Sequence, residues 1–199
     1  MVFPGLFYIC WDIWFAGWGV WRFDTAYTVG FKLYDLPVEE VLFFFVVPYC
    51  CLFIYVCIRS YFPLLRSNKR SETILFLTAV LLFVLALIFH EKRYTFYTGL
   101  FNAIFIFIIF LLRKKTAFFN SAAFLATYAI ILLPFMAVNG LLTSLPVVIY
   151  NNTENTGLRI FSIPVEDIFY GMLLIMMNVF IYEQLLQGKL PAKTDPRAL

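Results

Sequence analysis

The chain has 199 residues, 63% of them apolar and only 14% charged, with a formal net charge of +3. Soluble domains are about 45–50% apolar and about 25% charged. This composition therefore excludes an ordinary soluble domain, a disordered chain and a nucleic-acid binder, all of which need surface charge. An all-α, polytopic transmembrane helical bundle is expected, with membrane lipid as its surroundings and no nucleic acid as a partner.

Six hydrophobic segments of the chain are bounded by charge or turn residues: Val2–Ala16, Leu36–Ile58, Thr73–Phe89, Tyr94–Leu112, Ala117–Val138 and Ile160–Leu186. The first is shorter than the roughly 20 residues a hydrocarbon core requires. Pro48 and Pro134 interrupt their segments and are expected to kink them. Asn102 and Asn178 are expected to bond between helices. Trp11, Trp14, Trp18 and Trp21 are expected to anchor at the interface, and Glu183 near the end of the last span to be solvated. Ten basic residues lie on the connection Arg59–Glu72, on Arg113–Lys115 and in the tail, against five elsewhere. The positive-inside rule then puts both termini in the cytoplasm, for a multi-pass protein of the cell inner membrane.

Two of these segments open alike. Leu36-Pro37-Val38-Glu39-Glu40-Val41-Leu42-Phe43 matches Ile163-Pro164-Val165-Glu166-Asp167-Ile168-Phe169-Tyr170 at an offset of 127, and the offset continues to Ile54-Tyr55 and Ile181-Tyr182. The expected organisation is one membrane domain over residues 1–199. A first repeat spans about 1–58, a linker helix about 73–89, a second repeat about 94–186 and a cytoplasmic tail 187–199. The motif helices are the second and sixth spans, four crossings apart, so they run in the same direction, the repeat is parallel and both motifs fall on one, external side. The same offset maps Asp12 onto Asn139 and leaves the first repeat without the start of its leading helix. Either Met1 is a late start or a helix has been lost, and the first is favoured.

Pro37 and Pro164 have the structural role of opening a helix, and acids in a first turn suit the helix dipole. Helix-start chemistry does not explain two copies with two adjacent acids each, beside Phe43, Phe44, Phe169 and Tyr170. Glu39, Glu40, Glu166 and Asp167 are therefore the candidate catalytic residues. One acid of a pair can stay neutral as a proton donor while another remains ionised. A neutral acid in an aromatic pocket suits protonation of a carbon–carbon double bond, with ring faces stabilising the cation. Phe43, Phe44, Phe169 and Tyr170 are the candidate substrate-binding residues, and Asp12 is a candidate to join the acids. The four cysteines, Cys10, Cys50, Cys51 and Cys57, match no zinc spacing and are expected to be small buried hydrophobes. No metal site and no recognisable cofactor motif are encoded.

Paired Pro-x-Glu-Glu and Pro-x-Glu-Asp motifs, each opening an aromatic membrane helix, resemble those of the integral-membrane lycopene cyclases, in the fused bacterial form. Leu36–Tyr55, Tyr150–Asn155 and Ile163–Glu183 carry the resemblance. It implies a lycopene β-cyclase, converting lycopene to β-carotene through γ-carotene by acid-initiated carbocation cyclisation without net redox change. It also implies a carotenoid substrate taken from the bilayer, and carotenoid-pathway enzymes or a second copy of the chain as partners. The motif acids map onto Glu39, Glu40, Glu166 and Asp167, with donor and base not distinguished, in one site built by both repeats. The alternatives are another carotenoid end-group enzyme (an ε-ring or C50 cyclase, or a hydratase) and a non-catalytic membrane subunit. Members of this form usually carry a further helix upstream, which agrees with the expected missing start of the first repeat.

Overall fold

The structure, a computed structural model, describes residues 1–187. The expected tail lies outside the described residues from position 188 onward. Six helices account for the six segments: α1 (Val2–Gly17), α2 (Val38–Tyr61), α3 (Lys69–Ile88), α4 (Arg93–Leu111), α5 (Ser121–Ser144) and α6 (Val165–Gln187). Five of them, α2 to α6, are long and apolar enough to cross a membrane, whereas α1 has 16 residues. The protein is a multi-pass membrane bundle. Only 22% of the most apolar stretch of α2 is buried within the protein, against 56% for α6. That difference makes α6 the central helix, packed on by α1, α2, α4 and α5.

Short strands occupy one end of the bundle. β1 (Trp21–Phe23) pairs antiparallel with β4 (Val148–Tyr150), with Arg22 opposite Ile149. Those two residues are 127 positions apart, so the ladder is centred where the two halves of the chain meet. Its flanking bonds match in the same way: Asp24 N donates to Val147 O at 3.0 Å and Asn151 N to Val20 O at 2.8 Å. Each motif is preceded by its own hairpin, β2 (Lys32–Leu33) with β3 (Leu36–Pro37) and β5 (Arg159–Ile160) with β6 (Ile163–Pro164). The turns carry Tyr34 at φ 56° and Phe161 at φ 57°, a left-handed conformation that bulky residues rarely adopt. Gly30 at φ 92° and Gly157 at φ 78° recur at the same offset.

These hairpins correct two expected boundaries. Leu36 and Ile160–Pro164 are strand and turn rather than the first turns of spans, because a residue before proline disfavours the helical region. The fifth helix also sits further along than expected. Asn120 caps it at the start, its Oδ1 accepting from Ala123 N at 3.1 Å. It then continues past Val138 because its polar turn is satisfied: Thr143 Oγ1 donates to Asn139 O at 2.8 Å.

α3 and α4 form a tight antiparallel hairpin through His90–Lys92, and α3 begins in a capping box between Asn68 and Ser71. The close approach depends on Gly99. A Cβ there would lie 2.7 Å from the Leu82 carbonyl oxygen and 3.1 Å from Ala86 Cβ. Small residues at such crossings let membrane helices touch. Gly99→Ala is expected to force α4 away from α3 at a cost of about 1–3 kcal/mol. Thermal unfolding in detergent would show the drop, and an unchanged midpoint would exclude the close contact.

Two hydrophobic clusters fill the bundle. One surrounds Tyr55, Leu82, Phe124 and Met176, and the other Tyr8, Trp11, Phe15, Trp21 and Phe44. Trp11 and Trp21 are thus core residues, not interfacial anchors, while Trp14 and Trp18 are exposed. Of the cysteines only Cys51 is buried, and Cys10 and Cys50 are exposed on the outer surface. The corrections at Trp11 and at the cysteines follow from helix periodicity, because hydropathy does not distinguish a face turned to lipid from one turned to neighbouring helices; Trp21 is instead carried inward on β1. Asn102 does bond between helices, donating to Phe169 O at 2.9 Å, whereas among the described residues Asn178 bonds only within its own helix.

Candidate functional site

A cavity of ≈ 320 Å³ lies where the two halves of the chain meet, beneath the β1–β4 ladder. Residues 127 apart line it in pairs: Asp12 and Asn139, Glu40 and Asp167, Phe43 and Tyr170, Phe23 and Tyr150, Val47 and Leu174. Cys50, Pro134 and Val138 line it and are also exposed, so it reaches the outer surface between α2 and α5.

Three carboxyls face this space. Asp167 is the most heavily bonded. Tyr94 Oη donates to its Oδ1 at 2.5 Å, while Tyr150 Oη at 2.8 Å and Asn139 Nδ2 at 3.0 Å both donate to its Oδ2. The Tyr150 phenol is held well above its ordinary pKa, first by burial and then by the adjacent Asp167. It therefore remains a hydrogen-bond donor at any physiological pH. Asp12 is buried in α1 and accepts from Tyr170 Oη at 3.1 Å, while its Oδ2 is buried without a partner among the described residues. Tyr8 fixes the α6 backbone beside it, donating to Tyr170 O at 2.8 Å. The Glu40 carboxyl lines the same wall and accepts no hydrogen bond among the described residues. None of the three forms an ion pair there.

The other two motif acids face the loops. Glu39 Oε1 accepts from Val29 N at 2.6 Å. Glu166 Oε1 accepts from Thr156 N at 2.7 Å, from Thr156 Oγ1 at 2.8 Å and from Thr95 Oγ1 at 2.7 Å. In both motifs the first acid bonds a backbone amide ten residues upstream, and the second turns to the cavity. The two acids of each pair project about 100° apart around the helix, and here the first reaches the loop amide while the second faces the cavity.

The candidate aromatic residues divide in the same way. Phe43 and Tyr170 line the cavity. Phe44 is fully buried in the core, its ring 5.5 Å from that of Tyr8, and Phe169 packs into the other cluster. Pro37 and Pro164 stand at the starts of α2 and α6, after their hairpins. Tyr94, Tyr150 and Asn139 were not among the sequence candidates. Asn139 was nonetheless marked, as the position 127 beyond Asp12. Glu183 is buried rather than solvated. It accepts from Tyr55 Oη at 2.5 Å and pairs with Arg59, at the opposite end of α2 and α6 from the cavity.

A family model described as Lycopene cyclase matches residues 1–58 and 91–185. The match covers most of the chain, leaves out α3 and includes every residue that lines the cavity. No curated protein and no solved structure matches the chain.

Proposed function

The chain belongs to the lycopene cyclase family, and from that premise we propose that it converts lycopene to β-carotene, through γ-carotene, in the cavity between the two halves. The observation that carries this reading is the cavity wall itself: three carboxyls, one from α1, one from α2 and one from α6, in a lining that is otherwise mostly aromatic and aliphatic. That is the equipment an acid-initiated cyclisation needs.

A carboxyl hydrogen passes to the terminal double bond of the linear end group, giving a tertiary cation. The next double bond attacks it, forming the ring's carbon–carbon bond and moving the charge to a ring carbon. A carboxylate then removes a neighbouring proton, and a new ring double bond forms. Atoms and electrons balance, so the product is an isomer and the reaction has no net redox change. Phe23, Phe43, Tyr170 and Trp21 surround the cavity and would stabilise the cation through their ring faces, each contact contributing about 0.5–2 kcal/mol. The opening between α2 and α5 lies on the outer surface of the bundle, so a hydrocarbon substrate reaches it from the bilayer without crossing water. The excess of basic residues on three connections supports both termini being cytoplasmic, in the inner membrane.

Expression in a lycopene-accumulating bacterium tests the reading. The expected extract contains β-carotene, with γ-carotene as intermediate, at the mass of lycopene. Untouched lycopene, with the protein present in the membrane, would refute it.

A further inference from the structure

The three carboxyls of the cavity are not equivalent. Asp167 has acceptor positions filled at both oxygens, by two phenols and an amide anchored on three separate elements: Tyr94 on α4, Tyr150 on β4 and Asn139 on α5. Such a carboxyl is held in one orientation and used as an acceptor. Asp12 and Glu40 are the opposite case. Asp12 leaves one buried oxygen without a partner, and the Glu40 carboxyl accepts no hydrogen bond among the described residues. A proton on Glu40, whose carboxyl lines the cavity wall, can point at a substrate double bond rather than at a protein group.

From this asymmetry we infer that Tyr94, Tyr150 and Asn139 are positioning residues that fix Asp167 as the group taking the ring proton, and so select which carbon loses it. The inference rests on the cyclase reading above and deepens it. The ring cation has three neighbouring carbons that bear hydrogen. Loss from the ring carbon that carries the polyene chain gives the β ring. Loss from the ring methylene on the other side gives the ε ring, and loss from the methyl group gives an exocyclic double bond. The three products are isomers, reached from one cation by moving one proton to one carboxylate. Their energies do not force a single outcome, so the position of the base decides among them. If the base is displaced, a water can add to the cation instead, giving a ring heavier by one water and releasing a proton to the same carboxylate.

The test uses the full chain with Tyr94→Phe, Tyr150→Phe and Asn139→Ala, each expressed in a lycopene-accumulating bacterium. The readout is the ratio of ring isomers and water adducts among cyclised products, which does not depend on how much protein accumulates. Asn139 and Tyr150 are both only half-buried, so their variants are less able to disturb folding than the one at buried Tyr94. The expected result is a shift of roughly threefold to tenfold towards ε, exocyclic or hydroxylated rings, the size of one lost hydrogen bond. An unchanged ratio in every variant that cyclises would overturn the inference, whatever the rates. Untouched lycopene from all three variants, with the protein in the membrane, would also overturn it, because the donors would then be needed before the ring proton is lost. Failure of the unaltered chain to form any ring is a separate outcome, and it refutes the cyclase reading itself.

Discussion

Glu40→Gln is expected to lower ring formation at least about a hundredfold, the scale of a lost general acid, while Glu39→Gln retains most of it. The two substitutions are chemically identical and one residue apart, so hydropathy, helix propensity and insertion treat them alike. Their surroundings differ. Glu40 lines the cavity, where an amide has the right shape but no proton to give. Glu39 accepts the Val29 amide, and the carbonyl of a glutamine can accept the same bond and keep the hairpin closed. The second motif should behave in parallel. Glu166→Gln keeps an acceptor for Thr156 and Thr95, whereas Asp167→Asn places an amide against Asn139 and two phenols. Pigment ratios at matched protein levels measure the contrast. Equal losses at Glu39 and Glu40 would sink the division of each motif into a loop acid and a cavity acid.

The second large effect lies at the other end of the bundle. Glu183→Ala is expected to cost about 2–3 kcal/mol, as a buried charge partner is lost. The Glu183 side chain is only 6% exposed and serves Tyr55 and Arg59 together, tying α6 to α2, while Arg59 is 40% exposed and partly reaches solvent. The double replacement Arg59→Met with Glu183→Leu should cost less than Glu183→Ala alone, since it leaves no unpaired cation. Thermal unfolding in detergent gives the order of the three proteins. Because Glu183 is roughly 24 Å along α6 from Asp167, the single variant should form the wild-type ring isomer when assayed below its lowered midpoint. An unaltered midpoint, or an altered isomer, would contradict this account.

Much of the fold was legible in the residues because a bilayer demands long apolar helices, and hydropathy reads them directly. Pro48 and Pro134 fall inside helices as expected, and α3 turns into α4 at His90. Boundaries failed where local chemistry outweighs hydropathy. Ile160 and Ile163 are as apolar as any span residue, yet they precede Pro164 and form a hairpin. The motif acids were legible as a set, but which acid of each pair faces the cavity depends on how the helix is rotated about its axis, and the motif does not fix that rotation. Asn139 was marked by its offset from Asp12. Tyr94 carried no comparable sign, since a tyrosine at a span end ordinarily reads as an interfacial anchor. Glu183 looked solvated because its partners, Tyr55 and Arg59, are 128 and 124 residues away, and no local pattern connects them.

Protonation of a carotenoid end group by a carboxyl of this protein is the step on which the rest of the reaction depends. Its most direct test is to supply unlabelled lycopene to membranes containing the chain in deuterated water and to weigh the product. The account predicts a cyclised carotenoid with the mass of lycopene plus one exchanged deuterium for each ring, and no incorporation in Glu40→Gln membranes. Rings formed without deuterium, or lycopene recovered unchanged from membranes that contain the protein, would contradict it.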